Sequence, residues 1–342
     1  MCDIVDADLG FSYGNPIITK RNGEWVVLLT SGYNNVNPGT GREVLFVLRL
    51  ATGEITERLF TGTGSVDSPS GLAKVSAFAE KFQLDNTTQF VYGGDLAGQV
   101  WRFDLTTSPG GFLPIGILTD ATGKPQPVTT RPELGVVKNY RVIFIGTGRF
   151  LALTDLPNPG SLVPPVNAAY QQSFYAFKDT GGPQGNLRAA LTPQILSAKG
   201  ENSRTSTSNP VDWTKNGWFV DFNPGNTSPG ERVNVDPQLT LGTLTVFTNV
   251  PNPDACSIDG DSWLYQFDYQ TGSYISTVPG QILAQKLSGS TTVGFVIVNV
   301  PGTNGGLKVI PTDALGRNPM FNVPLGGSQA RGRRIGWREL TR

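Results

Sequence analysis

The stretch Thr88–Thr107, TQFVYGGDLAGQVWRFDLTT, decides how this chain folds. In its second half Gln99, Trp101, Phe103 and Leu105 fall on one face and Val100, Arg102 and Asp104 on the other. That two-residue period is the mark of a half-buried strand. Gln89–Tyr92 forms a second, shorter run rich in β-formers. Between the runs, Gly93 and Gly94 are free to take positive φ, and the Asp95 carboxylate is placed to accept from the backbone amides that follow it. The stretch therefore reads as a hairpin turning at Gly93-Gly94.

The second run recurs. FVLRLATG at Phe46–Gly53, WRFDLTT at Trp101–Thr107, YAFKDTGG at Tyr175–Gly182 and YQFDYQTG at Tyr265–Gly272 share a large apolar residue, a spacer, a second apolar residue and a polar turn. Each follows another β-rich run: VVLLTSG from Val26, FVYGGD from Phe90, VIFIGTG from Val142 and LTVFTNV from Leu244. A strand-loop-strand-turn unit cannot bury its apolar face alone, so the copies must stack on one another. Radial stacking of such units gives a β-propeller. At roughly 45 residues per blade, the chain has room for about seven or eight.

Composition agrees with this reading. The 342 residues include Gly 42 and Pro 25, as expected of a chain full of tight turns. Leu187–Leu196 is the only helical candidate, and Pro193 interrupts it. Lys+Arg and Asp+Glu are equal at 27 each, so no global field draws the protein to nucleic acid or anionic lipid. Locally, Arg331, Arg333, Arg334, Arg338 and Arg342 read as a solvated tail around a last strand. No signal peptide is recognisable, and no apolar run approaches the roughly 20 residues that span a bilayer. The polar loops favour an extracellular setting over a cytosolic one. Cys2 and Cys256 leave open a single bridge or two free thiols.

In chain order, Asn15–Lys20 reads as an outer strand, followed by Glu24–Gly32, the first repeat copy and Ile55–Phe60 as a first blade. Leu72–Phe82, Gln89–Tyr92, Val100–Leu105 and Phe112–Leu118 form a second. Thr154–Ala169 and Ser197–Asn209 read as inserted surface loops, the usual seat of binding on a rigid scaffold. The last strand, Arg334–Leu340, is expected to close the ring against the first blade. The pattern runs from Pro16 to Trp337 without a clean linker, giving one domain over 1–342.

The chain has no histidine, which removes serine or cysteine catalysis by an imidazole base and imidazole metal sites. Asp95, Asp104, Asp221, Asp259, Asp261 and Asp268 lie where aspartate caps backbone amides, a reading that outweighs a carboxylate pair across a central channel.

Five motifs, DADLGFSYGNP at Asp6–Pro16, VVLLTSGYNN at Val26–Asn35, VYGGDLAGQVWRFDL at Val91–Leu105, FIGTGRFL at Phe144–Leu151 and GRRIGWREL at Gly332–Leu340, resemble in kind and order the C-terminal domain of the PilY1/PilC family of type IV pilus proteins. The resemblance implies an all-β, modified seven-bladed propeller of quinoprotein alcohol dehydrogenase-like architecture with long inserted loops, at the C-terminal end of a longer secreted protein. It also implies a non-catalytic role: pilus biogenesis, opposition to retraction, tip adhesion, surface attachment and twitching motility. The expected partners are major and minor pilins and a host or abiotic surface, with no nucleic acid and no membrane insertion. The expected location is the pilus tip or outer cell surface, reached through the periplasm. Gly93, Gly94, Asp95, Trp101, Phe103 and Asp104 form the structural motif.

Members of that family carry a calcium loop just before the YGGD hairpin. The matching positions are Lys81, Gln83, Asp85, the Thr87 carbonyl and Gln89, of which only Asp85 keeps a carboxylate. Ca²⁺ takes about 6–8 oxygens, several of them charged, so binding is expected to be weak or lost, and no other cofactor is expected. Asp254, Asp259 and Asp261 beside Cys256 form a second, weaker cation candidate. The RGD tripeptide of some relatives is absent, because Arg331-Gly332 is followed by Arg333. Two other readings share the propeller: a quinoprotein-type dehydrogenase, for which neither the calcium nor the acidic base is recognisable, and a general ligand-binding scaffold.

Overall fold

Three of the sheets open with the same device. Strands β1 (Ile17–Arg21) and β2 (Glu24–Thr30) are joined by Asn22-Gly23, both at positive φ. Lys138-Asn139 joins β9 (Glu133–Val137) to β10 (Tyr140–Gly146), and Leu241-Gly242 joins β16 (Gln238–Thr240) to β17 (Thr243–Pro251), again with positive φ throughout. Two-residue turns with both φ values positive match the right-handed twist of the strands they join. The structure is a computed structural model that describes residues 6–82, 84–152, 155, 171–252, 260–301 and 306–326.

The described residues form five sheets. The first is β1-β2-β3-β4, with β3 at Val44–Arg49 and β4 at Ile55–Phe60. The second is β5-β6-β7-β8, at Val75–Phe78, Phe90–Gly94, Gln99–Asp104 and Gly111–Ile117. In the third, β9 and β10 continue through β11 (Ser173–Lys178) to β15 (Gly217–Asp221), and β12 (Thr192–Gln194) adds parallel to β15. The fourth runs from β16 and β17 through β18 (Gly260–Asp268) and β19 (Ala284–Ser288) to β14 (Ser203–Ser206) and β13 (Leu196–Ala198). The fifth is β20-β21-β22, at Thr292–Val300, Gly306–Asp313 and Phe321–Asn322.

Successive sheets pack face to face. Val26, Leu28, Leu45 and Val47 of the first meet Val91, Trp101 and Phe103 of the second. Tyr92 and Val100, on the opposite face of that second sheet, meet Ile143, Ile145, Tyr175 and Phe177 of the third. Phe144, Phe174 and Trp218 then meet Val246, Tyr265 and Phe267 of the fourth. Each repeat strand thus sends alternate residues into two different cores, and each large side chain removed from water contributes about 1.5–3 kcal/mol. The WRFD strand is buried on both faces, Val100 as fully as Phe103, and not on one face as its period implied.

Three sequence expectations change. Asn15–Lys20 is not an outer strand: β1, β5 and β9 are leading strands whose residues line one cavity together. Leu187–Leu196 makes one short 3₁₀ turn, Leu187–Ala189, capped by the Asn186 side chain, before the chain turns extended. Ser197–Asn209 is not a loop with few strand contacts, because β14 pairs with β19 and extends the fourth sheet. Thr154–Ala169 apart from Asp155, the Cys2 and Cys256 thiols, Asp254, Asp259, Gln83, the terminal arginines and the Arg334–Leu340 strand lie outside the described residues.

Candidate functional site

The glycines of the YGGD motif do not make the turn. Gly93 and Gly94 end β6 in extended conformation, and the turn spans Asp95–Gly98, with positive φ at Gly98. Both glycines serve close approach instead. A Cβ at Gly93 would stand 2.7 Å from Val75 Cγ1, and one at Gly94 2.7 Å from Val128 Cβ. Each lets a neighbouring segment press against the strand.

Asp95 behaves as expected and does more. Its Oδ1 accepts from the Gln99 amide at 2.8 Å, and its Oδ2 from the Trp101 indole N–H at 3.1 Å. Its backbone carbonyl accepts from Val128 N at 2.9 Å, which ties the turn to the chain entering the third sheet. The same position carries a polar residue in the first, third and fourth sheets. Ser31 Oγ accepts from Val44 N, Thr147 Oγ1 from Ser173 N, and Asn249 Oδ1 from the Ser262 hydroxyl. The four run endings TSG, GGD, GTG and TNV are therefore one device: a short polar side chain at the end of the second strand that fixes the start of the third.

Trp101 and Phe103 are buried between the first two sheets, and Trp101 meets Phe112 edge-on at 6.3 Å. Asp104 caps the following turn, its Oδ1 accepting from Thr106 N at 2.9 Å, and Asp268 does the same for Gln270 N at 2.9 Å. Asp221 is engaged by Arg188 and Ser173, and Asp261 by Lys286 at 2.7 Å. No group of three or more metal-ligating side chains gathers among the described residues.

Sequence reasoning missed Glu43. It lies just ahead of β3, fully buried, and its carboxyl faces that of Asp95, which is equally buried. Thr61 Oγ1 donates to Glu43 Oε2 at 2.8 Å. Burial, and then the Asp95 charge, push the Glu43 carboxyl up to about 10. Asp95 is also raised by burial, while its bonds to Glu43 and Trp101 pull it back. No local motif links two residues from different sheets, so nothing in either stretch announced the pair.

The loop that resembles a calcium site connects β5 to β6, where the first, third and fourth sheets use two-residue turns. Its donor set does not fit a dication. Asp85 accepts from the Thr87 hydroxyl at 2.9 Å and stands 3.7 Å from the Lys20 ammonium. The Thr87 carbonyl accepts from the Gln89 amide nitrogen at 2.9 Å, and the Gln89 carbonyl oxygen accepts from Glu80 N at 2.8 Å. Lys20 N donates to Asn86 O at 2.9 Å and Thr88 N to Lys20 O at 3.0 Å, which clips the loop onto β1. Asp85, Thr87 and Gln89 are thus occupied by protein partners.

Where the leading strands converge, Tyr13, Ile17, Ile18, Lys74, Arg131 and Asp236 help line a cavity of about 310 Å³. Asp236 Oδ1 accepts from Lys74 Nζ at 2.9 Å and from Arg131 N at 3.0 Å, joining segments of three sheets. The inserted β13–β14 hairpin is locked by a second buried polar cluster. Arg204 Nη1 donates to both Glu231 oxygens at 2.8 Å, and its guanidinium lies 3.6 Å from the centre of the Trp263 ring. Glu231 also accepts from Tyr265 Oη at 2.8 Å and Thr248 Oγ1 at 2.7 Å.

Repeated sheets packed face to face in chain order, with leading strands around a shared cavity, define an all-β protein of the propeller type. Residues 2–111 match the family model of the PilY1 beta-propeller domain. The type IV pilus biogenesis factor PilY1 homolog of Xylella fastidiosa is 28% identical over 93% of this chain and 23% of its own length. The type IV pilus biogenesis factor PilY1 of Pseudomonas aeruginosa is 28% identical over 79% of this chain and 26% of its own length. The crystal structure of the Pseudomonas aeruginosa PilY1 C-terminal domain superposes with a TM-score of 0.75 at 22% identity, covering 94% of this chain and 74% of that one. The chain is similar in sequence to the PilY1 type IV pilus biogenesis factors and in fold to the PilY1 C-terminal domain, as its motifs indicated. It spans about a quarter of the length of the curated relatives it matches. No described helix is long and apolar enough to cross a membrane.

Proposed function

We propose that this chain is a non-catalytic, propeller-type domain of a type IV pilus biogenesis factor, acting outside the cell to oppose pilus retraction and to support surface attachment and twitching. The observation that carries the reading is the joint match, in sequence across most of the chain and in fold, to PilY1 proteins. The site chemistry supports it. The aspartates cap turns or pair with cations, Trp101 is enclosed between sheets instead of facing a cofactor, and the chain has no histidine. A rigid stack of sheets suits a protein that presents surfaces to pilins or to a substratum. The Ser197–Asn209 insertion is a strand pair of the scaffold, so the adhesive contacts are assigned elsewhere than in that segment.

The calcium loop belongs to the same reading. With Lys20 beside Asp85 and both ends of the Gln89 amide engaged, the loop holds its shape through protein partners, and Ca²⁺ has no vacant charged oxygen set to enter. The test of function is deletion of this region from its full-length parent, with surface pili sheared and quantified and attachment measured per pilus. Loss of pili or of attachment is expected; wild-type values for both would overturn the proposal.

A further inference from the structure

The Glu43–Asp95 contact brings two buried carboxyls together with no cation beside them. Glu43 and Asp95 are both 0% exposed, and neither takes part in an ion pair among the described residues. On the first sheet's side, Glu43 meets the hydroxyls of Thr61 and Ser70, and the charge that acts on it is that of Asp95. On the second sheet's side, Asp95 meets the Trp101 indole and the amides of Ala97 and Gln99, all donors without titratable character in the accessible range. Thr61 Oγ1 serves Glu43 Oε2, while Glu43 Oε1 is buried and receives no hydrogen bond, as expected of an oxygen that carries a proton. Two carboxylates in contact in a water-excluded site cannot both be ionised.

We propose that Glu43 and Asp95 hold one proton between them, resident on Glu43, and that this proton latches the first sheet to the turn of the second. The surroundings are built for it. Ser70 N donates to Gly41 O at 3.1 Å and Leu96 N to Ser70 O at 2.8 Å, so the loops carrying the two carboxyls are already tied together on either side of the contact. Asp95 accepts from Gln99 and Trp101 and keeps its charge, while Glu43 supplies the proton that bridges the pair. Because Val128 N bonds to the Asp95 carbonyl, release of the latch reaches the chain entering the third sheet as well.

A carboxyl whose folded-state value lies near 10 against an ordinary 4.5 contributes its full stability below pH 4.5. That contribution is lost progressively as the pH rises towards 10, because the unfolded chain releases the proton and the folded one retains it. Denaturant unfolding of the 342-residue chain, measured from pH 5 to pH 9.5, is therefore expected to show a folding constant that falls by up to about tenfold per pH unit. The isosteric Glu43→Gln keeps a donor towards Asp95 and removes the proton, so it is expected to flatten the profile by one proton's slope. Equal slopes in the two proteins overturn the proposal. The infrared spectrum gives an independent reading should the variant fail to fold: the unmodified chain retains a buried, protonated carboxylic acid band at neutral pH that fades at alkaline pH, and the absence of that band is contradictory. Calcium that stabilised the unmodified chain at pH 8 but not Glu43→Gln would also refute it, since a cation would then stand where the proton is placed.

Discussion

Replacing Arg204 by methionine tests whether the inserted hairpin is part of the scaffold. Arg204 and Glu231 are each 1% exposed, so the substitution keeps the apolar stem over Trp263 but strands a carboxylate in the interior. Removing one partner of a buried, hydrogen-bonded ion pair costs about 3–5 kcal/mol, far more than the pair itself contributes relative to an apolar replacement. Glu231 would retain Tyr265 Oη, Thr248 Oγ1 and the Asn223 amide, which places the expected loss near the lower end, about 3 kcal/mol. With an m-value of about 3 kcal/mol/M, the urea midpoint falls by about 1 M. Adding Glu231→Gln should restore roughly 1–2 kcal/mol, because the stranded group is then neutral. Urea titrations followed by tryptophan emission, with hydrogen exchange on the amides of β13 and β14, supply the measurements. The reasoning fails if Arg204→Met costs under about 1 kcal/mol, or if Glu231→Gln adds its own full cost on top.

Other outcomes follow from the same geometry. Gly94→Ala places a methyl group 2.7 Å from Val128 Cβ and is expected to cost about 1–3 kcal/mol, recovered in part by Val128→Ala; an unchanged midpoint would show that the contact is slack. Calorimetric titration with Ca²⁺ is expected to show no sub-millimolar binding, and binding that Asp85→Ala abolishes would contradict the account of the β5–β6 loop. Asp95→Ala removes acceptors from Gln99 N and Trp101 Nε1 and leaves the indole N–H buried, for an expected loss of about 2–4 kcal/mol by the same urea assay.

The strands were legible because their apolar periods and bounding turns are local. Ile55–Phe60 was located to the residue, and the strands of the second sheet to within a few residues. Glycine misled at Gly93-Gly94, since a sequence cannot separate a glycine needed for positive φ from one needed for close approach. The turn fell instead on Asp95–Gly98, one short step downstream. Ser197–Asn209 was misread for a related reason. Its polar residues look solvent-directed until the fold sets Arg204 against Glu231, Tyr265 and Trp263, which belong to another sheet. Of the candidate site, Asp95 was recognised as a turn cap, but its partnership with Glu43 depends on sheet packing and leaves no trace at either position. The scarcity of carboxylates in the β5–β6 loop was visible in the sequence, while Lys20, the cation that stands near Asp85, comes from β1 and was not.

The central claim, that this domain serves pilus biogenesis by opposing retraction, is tested most directly by counting surface pili on cells whose full-length parent lacks it, with the retraction motor active and with it disabled. The account predicts that pili disappear while the motor runs and return when it is disabled. Normal piliation in the presence of an active motor would contradict it.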